Sequence, residues 1–257
     1  MQAADTPYCA RLAIIGRGRL GNALATELRS AGHVVMGPLG RGADGAGADA
    51  VLLCVPDAAI AAAAACIEPG PLVGHCSGAT GLEPLAGHEA FSLHPLMTVT
   101  HEGAEFVGAG AAIAGSTPHA LALARSLAVA LGLRPVEIAA EDRVAYHAAA
   151  SIASNFLLTL EGAAARLAST AGLERAQLVP LVRQTVENWA RLGAADALTG
   201  PVVRGDEQTL AAQRAAVADR TPEMLGLFDA LTEATRSLVC DSSHIDSADR
   251  HREAVAR

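Results

Sequence analysis

Hydrophobic positions along the chain follow two different periodicities, and the change falls near residue 140. Before it, short apolar runs alternate with helix-like segments; the runs cover 11–15, 33–36, 50–55, 71–75, 90–94, 110–114 and 134–138. Residues 51–55 are continuously apolar, which is typical of a strand covered on both faces. The alternation predicts repeated βα units and a mainly parallel sheet.

From Glu141 onward the strand pattern disappears and helical periodicity replaces it. Helices are predicted over 141–171 and near 174–193, 206–219 and 222–240, separated by Gly172, Gly193, Gly200-Pro201 and Pro222. We therefore predict an α/β domain over 1–140 and an all-α domain over 141–240. The polar segment 241–257 is predicted to be a flexible tail.

A glycine-rich loop follows the first apolar run and precedes a helix pattern. Gly16 permits a tight turn, Gly18 lets the backbone approach a pyrophosphate, and Gly21 lets the helix pack closely on the strand. The first helical turn attracts phosphates through its free N–H groups. The loop, whose six residues are all candidate cofactor contacts, is Gly16-Arg17-Gly18-Arg19-Leu20-Gly21. This strand–turn–helix context predicts a doubly wound Rossmann domain that binds a dinucleotide; a structural turn without a ligand is the alternative.

Arginine side chains indicate which dinucleotide the loop would prefer. The second strand ends in Gly37-Pro38 without the acidic residue that normally holds an adenosine 2′-hydroxyl. Arg41 follows it, and Arg17 and Arg19 lie within the glycine loop. Because a guanidinium group matches a phosphate bidentately, these residues favour NADP. The alternative is that they are solvated surface arginines, with NAD or no nucleotide bound.

Polar residues mark the ends of three further strands, where ligands of open parallel sheets lie. Val55 and Pro56 are candidate cofactor contacts, and Asp57 after them could equally contact the ligand or cap the following helix. Ser77, after His75, is a candidate cofactor contact, and His94 is a candidate catalytic residue. For each histidine, a purely structural hydrogen-bonding role is equally compatible with the sequence.

The long helix predicted over 141–171 carries a polar stripe on an otherwise apolar surface. His147, Ser151 and Asn155 recur every four residues, with Ser154 beside them. Such a stripe must face water, a partner or a cleft, and we expect it to face a cleft between the two domains. The alternative is that these polar groups are satisfied within a helix interface.

Composition narrows the classes of function. A net charge of −8 disfavours nucleic acid or an anionic membrane as the main partner. No apolar stretch reaches the length of a membrane span, and residues 1–5 lack signal-peptide features, so we expect a cytoplasmic protein. The five cysteines show no CxxC spacing, which predicts small buried thiols, no disulfide framework and no metal site.

All 19 basic residues are arginine, which excludes any mechanism that needs a lysine.

Several short motifs together resemble one family. Over residues 10–240 the chain is similar to the Rossmann-like family with a C-terminal domain of unknown function, number 2520. That family lies in the 6-phosphogluconate dehydrogenase-like superfamily, which includes ketopantoate and pyrroline-5-carboxylate reductases. The resemblance implies an NADP-dependent oxidoreductase without a settled substrate. The matching stretches, besides the glycine loop, are Leu53–Asp57, His75–Gly78, Ser92–Leu96, Tyr146–Ser151, Ser154-Asn155 and Leu198–Pro201.

The chain departs from its superfamily at one position. Many of the lysine-dependent dehydrogenases in the superfamily carry K-x-x-x-N on the first helix after the Rossmann domain, and this chain has Ser151 and Asn155 at that spacing. The resemblance implies that Asn155 orients the substrate, whereas Ser151 cannot replace the lysine acid. His147 or His94 would then supply the proton for a carbonyl or imine reduction.

These observations favour hydride transfer between NADP and a small polar substrate, with carboxylate-bearing molecules among the candidates. The rival hypothesis is a non-catalytic NADP sensor or partner-binding protein that lost the lysine; a third is a purely structural dimer. The helical domain carries more apolar residues than one subunit can bury, so we expect a homodimer through it.

Overall fold

Each predicted apolar run overlaps one strand of the structure. The computed structural model describes the backbone of residues 11–255 and the side chains of residues 11–240. Cys9 and the N-terminal residues used in the compartment argument lie outside that range. The strands are β1 (Leu12–Ile15), β2 (Val35–Leu39), β3 (Ala50–Leu53), β4 (Leu72–His75), β5 (Ala90–Leu96), β6 (Gly110–Gly115) and β7 (Arg134–Glu137).

The strands form one seven-stranded sheet in the order β2-β1-β3-β4-β5-β6-β7. All neighbouring pairs are parallel except β5 and β6, which are antiparallel. The predicted α/β, mainly parallel sheet is thereby confirmed. Because β1, β3, β4 and β5 are parallel, their carboxyl ends meet at one edge of the sheet, where ligands of such folds bind.

Helices cover both faces of this sheet. Alternate residues of β1 point to opposite faces, so Leu12 and Ile14 join one apolar cluster while Ala13 and Ile15 join the other. The first cluster includes residues of α1 (Arg19–Ser30) and α3 (Pro118–Ala130), and the second includes residues of α2 (Ile60–Ala64). The central strands are therefore buried on both sides, as their continuous apolar runs predict.

The chain forms two compact units, one through Asn155 and one from Phe156. The first unit extends beyond the boundary near residue 140 that the loss of strand pattern indicates. It includes α4 (Arg143–Ser151), because Arg143 at the start of this helix is buried and hydrogen-bonded to residues after β4 and within β5. The chain passes between the units within a π-helical turn, Ile152–Phe156.

The second unit is helical, as expected for the C-terminal part. Gly193 has a φ of 80° and interrupts the helix Arg175–Ala197 near its C-terminal end, as predicted. Asp206 caps the next helix by accepting a hydrogen bond from the Thr209 N–H. The last helix continues through residue 255, so the backbone of the predicted tail is helical, and its mobility stays a prediction. The helices are α5 (Leu157–Ser169), α6 (Arg175–Ala197), α7 (Glu207–Arg220) and α8 (Leu225–Val255).

One helical stretch of the described chain, Ala140–Ser169, is long and apolar enough to cross a membrane by length and composition alone. Its mean hydropathy reaches 1.2 over its most apolar window. The prediction that no apolar stretch reaches this length is therefore wrong for this helix, in which small polar residues such as Ser151 and Ser154 interrupt the apolar pattern. A single such helix is weak evidence for a span, since helices of soluble folds also meet the criterion.

Candidate functional site

The glycine loop has the geometry that its sequence predicts. Gly16 has a φ of +127°, and a Cβ there would lie 2.1 Å from the Cys54 carbonyl oxygen. A Cβ on Gly21 would lie 2.0 Å from the Gly16 carbonyl oxygen. Asn22 Nδ2 donates to the carbonyl oxygens of Arg17 and Gly18, each at 3.0 Å. Gly16 and Gly21 are therefore required for close packing of loop, helix and strand.

Gly18 differs from its two neighbours in the motif because it faces open space. No heavy atom lies within 4 Å of the position that its Cβ would take. It directly precedes α1, whose first N–H groups have no partner within the helix. Space above a helix N-terminus is what a pyrophosphate needs, so this cradle fits the phosphates of a dinucleotide.

A groove connects this cradle with the ends of β3 and β4. Its cavity volume is about 360 Å³, and it is lined by Gly18, Arg19, Leu20, Cys54, Val55, Asp57, Cys76, Ser77 and Val99. A second cavity of about 630 Å³ lies beside α1 and is lined by Arg17, Gly18 and Arg19 together with residues of α1 and 100–104. The structure thus brings the glycine loop, Val55 and Ser77 together, whereas Pro56 is exposed beside them.

Arg17 lies at the carboxyl end of β2, where the adenosine ribose of a dinucleotide would bind. Its Nε donates to the Pro38 carbonyl oxygen at 3.4 Å, and its Cζ lies 3.5 Å from the position of a Gly40 Cβ. Arg41 is exposed one residue farther along. The two residues present guanidinium groups at the end of the strand that lacks an acidic residue.

Asp57 organises a polar network at the end of the groove. Its Oδ2 accepts hydrogen bonds from the Ser77 hydroxyl at 2.7 Å and the Thr80 hydroxyl at 3.0 Å. The Thr80 N–H donates to Ser77 Oγ at 2.9 Å. Asp57 begins a short 3₁₀ turn but makes no capping bond, so the capping role considered for it is wrong. Its carboxylate instead holds the loop after β4.

His75 has a structural role. It is fully buried, the Ser77 N–H donates to its Nδ1 at 3.1 Å, and its Nε2 donates to the Gly81 carbonyl oxygen at 2.7 Å. Burial, the largest influence, lowers the pKa of His75. Both ring nitrogens are therefore occupied in a neutral imidazole that shapes the loop from 75 to 81.

Arg143 is a central residue that the sequence analysis missed. Its side chain is buried, with only 2% of the residue exposed. Its Nη2 donates to the Ser77 carbonyl oxygen at 2.7 Å, and its Nη1 donates to Ser92 Oγ at 3.0 Å. Its buried Nε has no hydrogen-bond partner. Burial lowers its pKa. A single arginine at a helix start carries no distinctive pattern, although burial of a charge in an apolar segment requires such partners.

His94 and Tyr146 form the second polar centre of the first unit. His94 Nδ1 lies 2.7 Å from the Tyr146 hydroxyl oxygen, and its ring centroid lies 6.0 Å from that of His147. Burial first, then the charges of His147 and Arg143, lower the pKa of His94 to about 4. Burial raises the pKa of Tyr146, while Arg143 and a hydrogen bond with the Ala112 backbone lower it.

Gly78 joins this centre to the groove. A Cβ there would lie 2.6 Å from His147 Cδ2 and 2.9 Å from His94 Nε2, so only glycine leaves room for both rings. Ser77, the preceding residue, lines the groove. The structure therefore brings Ser77, His94 and His147 close together, and their role in a catalytic cleft stays a prediction.

The remaining stripe residues lie farther along the same helical segment. Ser151 is half-buried at the end of α4, and Asn155 is exposed in the π-helical turn. A four-residue repeat drifts around an α-helix of 3.6 residues per turn, and the wider π turn offsets part of that drift. Asn155 thereby stays closer to the line of His147 than a regular helix would place it. Their catalytic assignment stays a prediction.

No group of three or more His, Cys, Asp or Glu side chains that could hold a metal ion occurs among the described residues.

Comparison with known proteins confirms the resemblance seen in the sequence. Residues 109–235 match the family described as "Domain of unknown function (DUF2520)". None of the curated proteins matches the chain.

Solved structures share the fold at low sequence identity. A Bacteroides fragilis protein, provisionally titled an NADP oxidoreductase, is 21% identical with a TM-score of 0.77, over 89% of this chain and 98% of that one. A Thermotoga maritima protein is 23% identical with a TM-score of 0.72, over 90% and 99%. A reductive aminase from Aspergillus terreus, solved with NADPH and ethyl levulinate, is 17% identical with a TM-score of 0.65, over 90% and 95%.

Proposed function

We propose that this chain, whose residues 109–235 match the DUF2520 family, is an NADP-dependent oxidoreductase acting on a small polar substrate. One observation carries the proposal: a groove runs from the glycine cradle to Ser77, and the His94–Tyr146 pair lies directly beyond it across Gly78. The proposed dinucleotide site and the proposed proton-handling pair are thus adjacent. That the fold recurs in a reductase solved with NADPH supports the same assignment.

The residues of the cradle fit the cofactor. Gly18 and the start of α1 would hold the pyrophosphate, Val55 and Ser77 would line the nicotinamide side, and Arg17 and Arg41 would meet a 2′-phosphate. When bound, NADP(H) supplies the hydride. The absence of an acidic residue at the end of β2 supports NADP over NAD.

His94 would handle the proton. Because its pKa is lowered to about 4, the ring is neutral at pH 7 and cannot act as an imidazolium acid. The Tyr146 hydroxyl, hydrogen-bonded to the Ala112 backbone, donates to Nδ1, which leaves the proton of the ring on Nε2. Nε2–H can then donate to a carbonyl oxygen or imine nitrogen while Nδ1 receives the Tyr146 proton. The nearby Arg143 charge stabilises the phenolate that this relay leaves.

The π-turn and α4 residues would act on the substrate. Asn155 would orient it, as the resemblance implies, and His147 is the second candidate proton donor because its ring is exposed beside His94. Ser151 would serve as a hydrogen-bonding residue in place of the missing lysine. We further propose a cytoplasmic homodimer formed through the helical unit, with neither nucleic acid nor membrane as a partner.

Turnover of NADPH with a library of small carbonyl and imine compounds tests the proposal. With a substrate found, His94→Asn and Tyr146→Phe are expected to lower kcat by about 10²–10⁴, the usual contribution of acid–base catalysis, without weakening NADPH binding. His119→Asn, an exposed histidine on α3, is the matched control and should retain activity. Full activity of both site variants would contradict the relay.

The absence of lysine supports one rival, a non-catalytic NADP sensor. The same measurements separate the two functions. Tight NADPH binding without turnover of any carbonyl or imine compound would favour the sensor, whereas turnover that depends on His94 would exclude it.

A further inference from the structure

Two thiols lie side by side at the floor of the proposed nucleotide groove. Cys54 follows β3 and Cys76 follows β4, and the strand register pairs Leu53 with His75, so the cysteines form the next pair. Their Sγ atoms are 3.7 Å apart. Cys76 is buried and Cys54 is half-buried, and both line the groove.

We propose that Cys54 and Cys76 form a reversible disulfide on reaction with a hydroperoxide, and that this disulfide weakens nucleotide binding. The first half stands on the geometry of the thiols alone. The second half rests on the proposed function, because it needs a nucleotide in the groove.

The backbone positions suit a disulfide. Neighbouring strands lie about 4.8 Å apart, within the range of Cα separations of about 4.4–6.8 Å that disulfides span. Only the Sγ atoms must approach, from 3.7 Å to the bonded distance of about 2.0 Å. Rotation of two side chains can supply most of that approach without separating β3 from β4.

The two thiols have distinct roles in the reaction. The hydrogen bond with Cys54, followed by burial, raises the pKa of Cys76, which keeps it protonated. Cys54, open to the groove, attacks a peroxide oxygen; the O–O bond breaks, and a sulfenic acid and one water or alcohol form. The Cys76 sulfur then attacks the Cys54 sulfur, the S–O bond breaks, and the leaving hydroxide takes the Cys76 proton as water. Two thiols lose two electrons, and one hydroperoxide gains them.

The disulfide would act on the cradle through Cys54. The Cys54 Cβ lies 3.2 Å from the position of a Gly16 Cβ and 3.3 Å from that of a Gly21 Cβ, so it packs beneath both glycines. The disulfide would fix the Cys54 Sγ toward Cys76 and so change the shape of the groove beside the loop that would hold the pyrophosphate. By reciprocity, a bound nucleotide would hinder oxidation of Cys54.

Peptide mapping after hydrogen peroxide treatment tests the first half without any nucleotide. A Cys54–Cys76 crosslink that dithiothreitol reverses is expected, and Cys66→Ser and Cys240→Ser, which alter two exposed thiols, should still form it. In Cys76→Ala, dimedone should trap a sulfenic acid on Cys54. A crosslink that instead involves Cys66 or Cys240, or no crosslink, would overturn the proposal.

Titration of NADPH against reduced and oxidised protein tests the second half. We expect oxidation to weaken NADPH binding about tenfold, and reduction to restore it. In Cys76→Ala, the peroxide-treated and untreated forms should bind NADPH with the same affinity. Equal affinity of the crosslinked and reduced forms would overturn the regulatory half. If neither form binds NADPH, the proposed function fails, while the peptide map still decides the disulfide.

Discussion

At the scale of single residues, burial determines how His94 can act. A histidine with its ordinary pKa near 6.5 would be partly protonated in the cell, whereas His94, with a pKa of about 4, stays neutral. In the proposed reaction it would therefore act as a hydrogen-bond donor coupled to Tyr146. Burial and neighbouring positive charge disfavour protonation of His94 in the folded protein only. The free energy of unfolding therefore depends on pH through this residue.

The stability of the protein should depend on pH through His94. In the unfolded chain the ring binds a proton near pH 6.5, but in the folded protein it does so only near pH 4. Between these values the unfolded state holds more protons, so the free energy of unfolding falls as pH decreases from 6.5 to 4, by at most about 1.4 kcal/mol per pH unit for this group. Urea unfolding at pH 7, 6 and 5 should show a smaller decrease in His94→Asn than in wild type. If the free energy of unfolding changed with pH in His94→Asn as it does in wild type, the lowered pKa of His94 would be contradicted. His119→Asn, which alters an exposed histidine, is the control.

At the scale of elements, α4 connects the ends of two strands. Arg143 bonds to the loop after β4 through Ser77 and to β5 through Ser92, and Tyr146 one turn later meets His94. The helix therefore fixes the position of the groove relative to the His94–Tyr146 pair. This is why the compact first unit includes α4, although its sequence pattern belongs with the helices that follow.

Removal of the Arg143 side chain should loosen this connection. Arg143→Met leaves the Ser77 carbonyl and the Ser92 hydroxyl without their donor, which should lower the free energy of unfolding by about 2–5 kcal/mol. Arg143→Lys keeps the charge but can reach only one acceptor, so an intermediate loss is expected. Calorimetric unfolding of both variants checks this, with exposed Arg125→Ala expected to change stability by less than about 0.5 kcal/mol. A stable Arg143→Met protein would show that the two bonds contribute little.

Sequence patterns predicted the elements more completely than the contacts between them. Apolar runs located all seven strands because buried parallel strands leave continuous signals, and the GxGxxG spacing predicted the close contacts of Gly16 and Gly21. The hydrogen-bond network of Asp57, Ser77 and Arg143 joins residues that are far apart in sequence. Local sequence patterns therefore do not predict these contacts. The π-helical turn was likewise missed, since its residues fit an α-helical repeat.

At the scale of the whole molecule, the helical unit leaves large apolar side chains in contact with solvent. Phe156, Leu158, Leu181 and Trp189 are each 57–67% exposed. Extended apolar surface of this kind usually marks an interface. Exposed side chains on α5 and α6 are thus consistent with the proposed second copy of the chain.

Sedimentation velocity at micromolar concentration should therefore show a dimer. Leu181→Glu, which places a charge on the apolar surface of α6, should shift the protein toward monomer while leaving NADPH binding to the first unit measurable. Val129→Glu, an exposed apolar position on α3, is the matched control. A wild-type monomer, or a dimer that Leu181→Glu does not weaken, would contradict an interface at this surface.

The most direct test of the account is calorimetric titration of NADPH and NADH against wild type, Arg41→Ala and Gly18→Val. Wild type should bind NADPH more tightly than NADH, and Arg41→Ala should lose about tenfold in affinity for NADPH alone, as expected for one lost charge-assisted contact. Gly18→Val should fold, because its side chain enters open space, yet bind neither nucleotide. Equal wild-type affinities would contradict the NADP preference, and unchanged binding by folded Gly18→Val would contradict the nucleotide site itself.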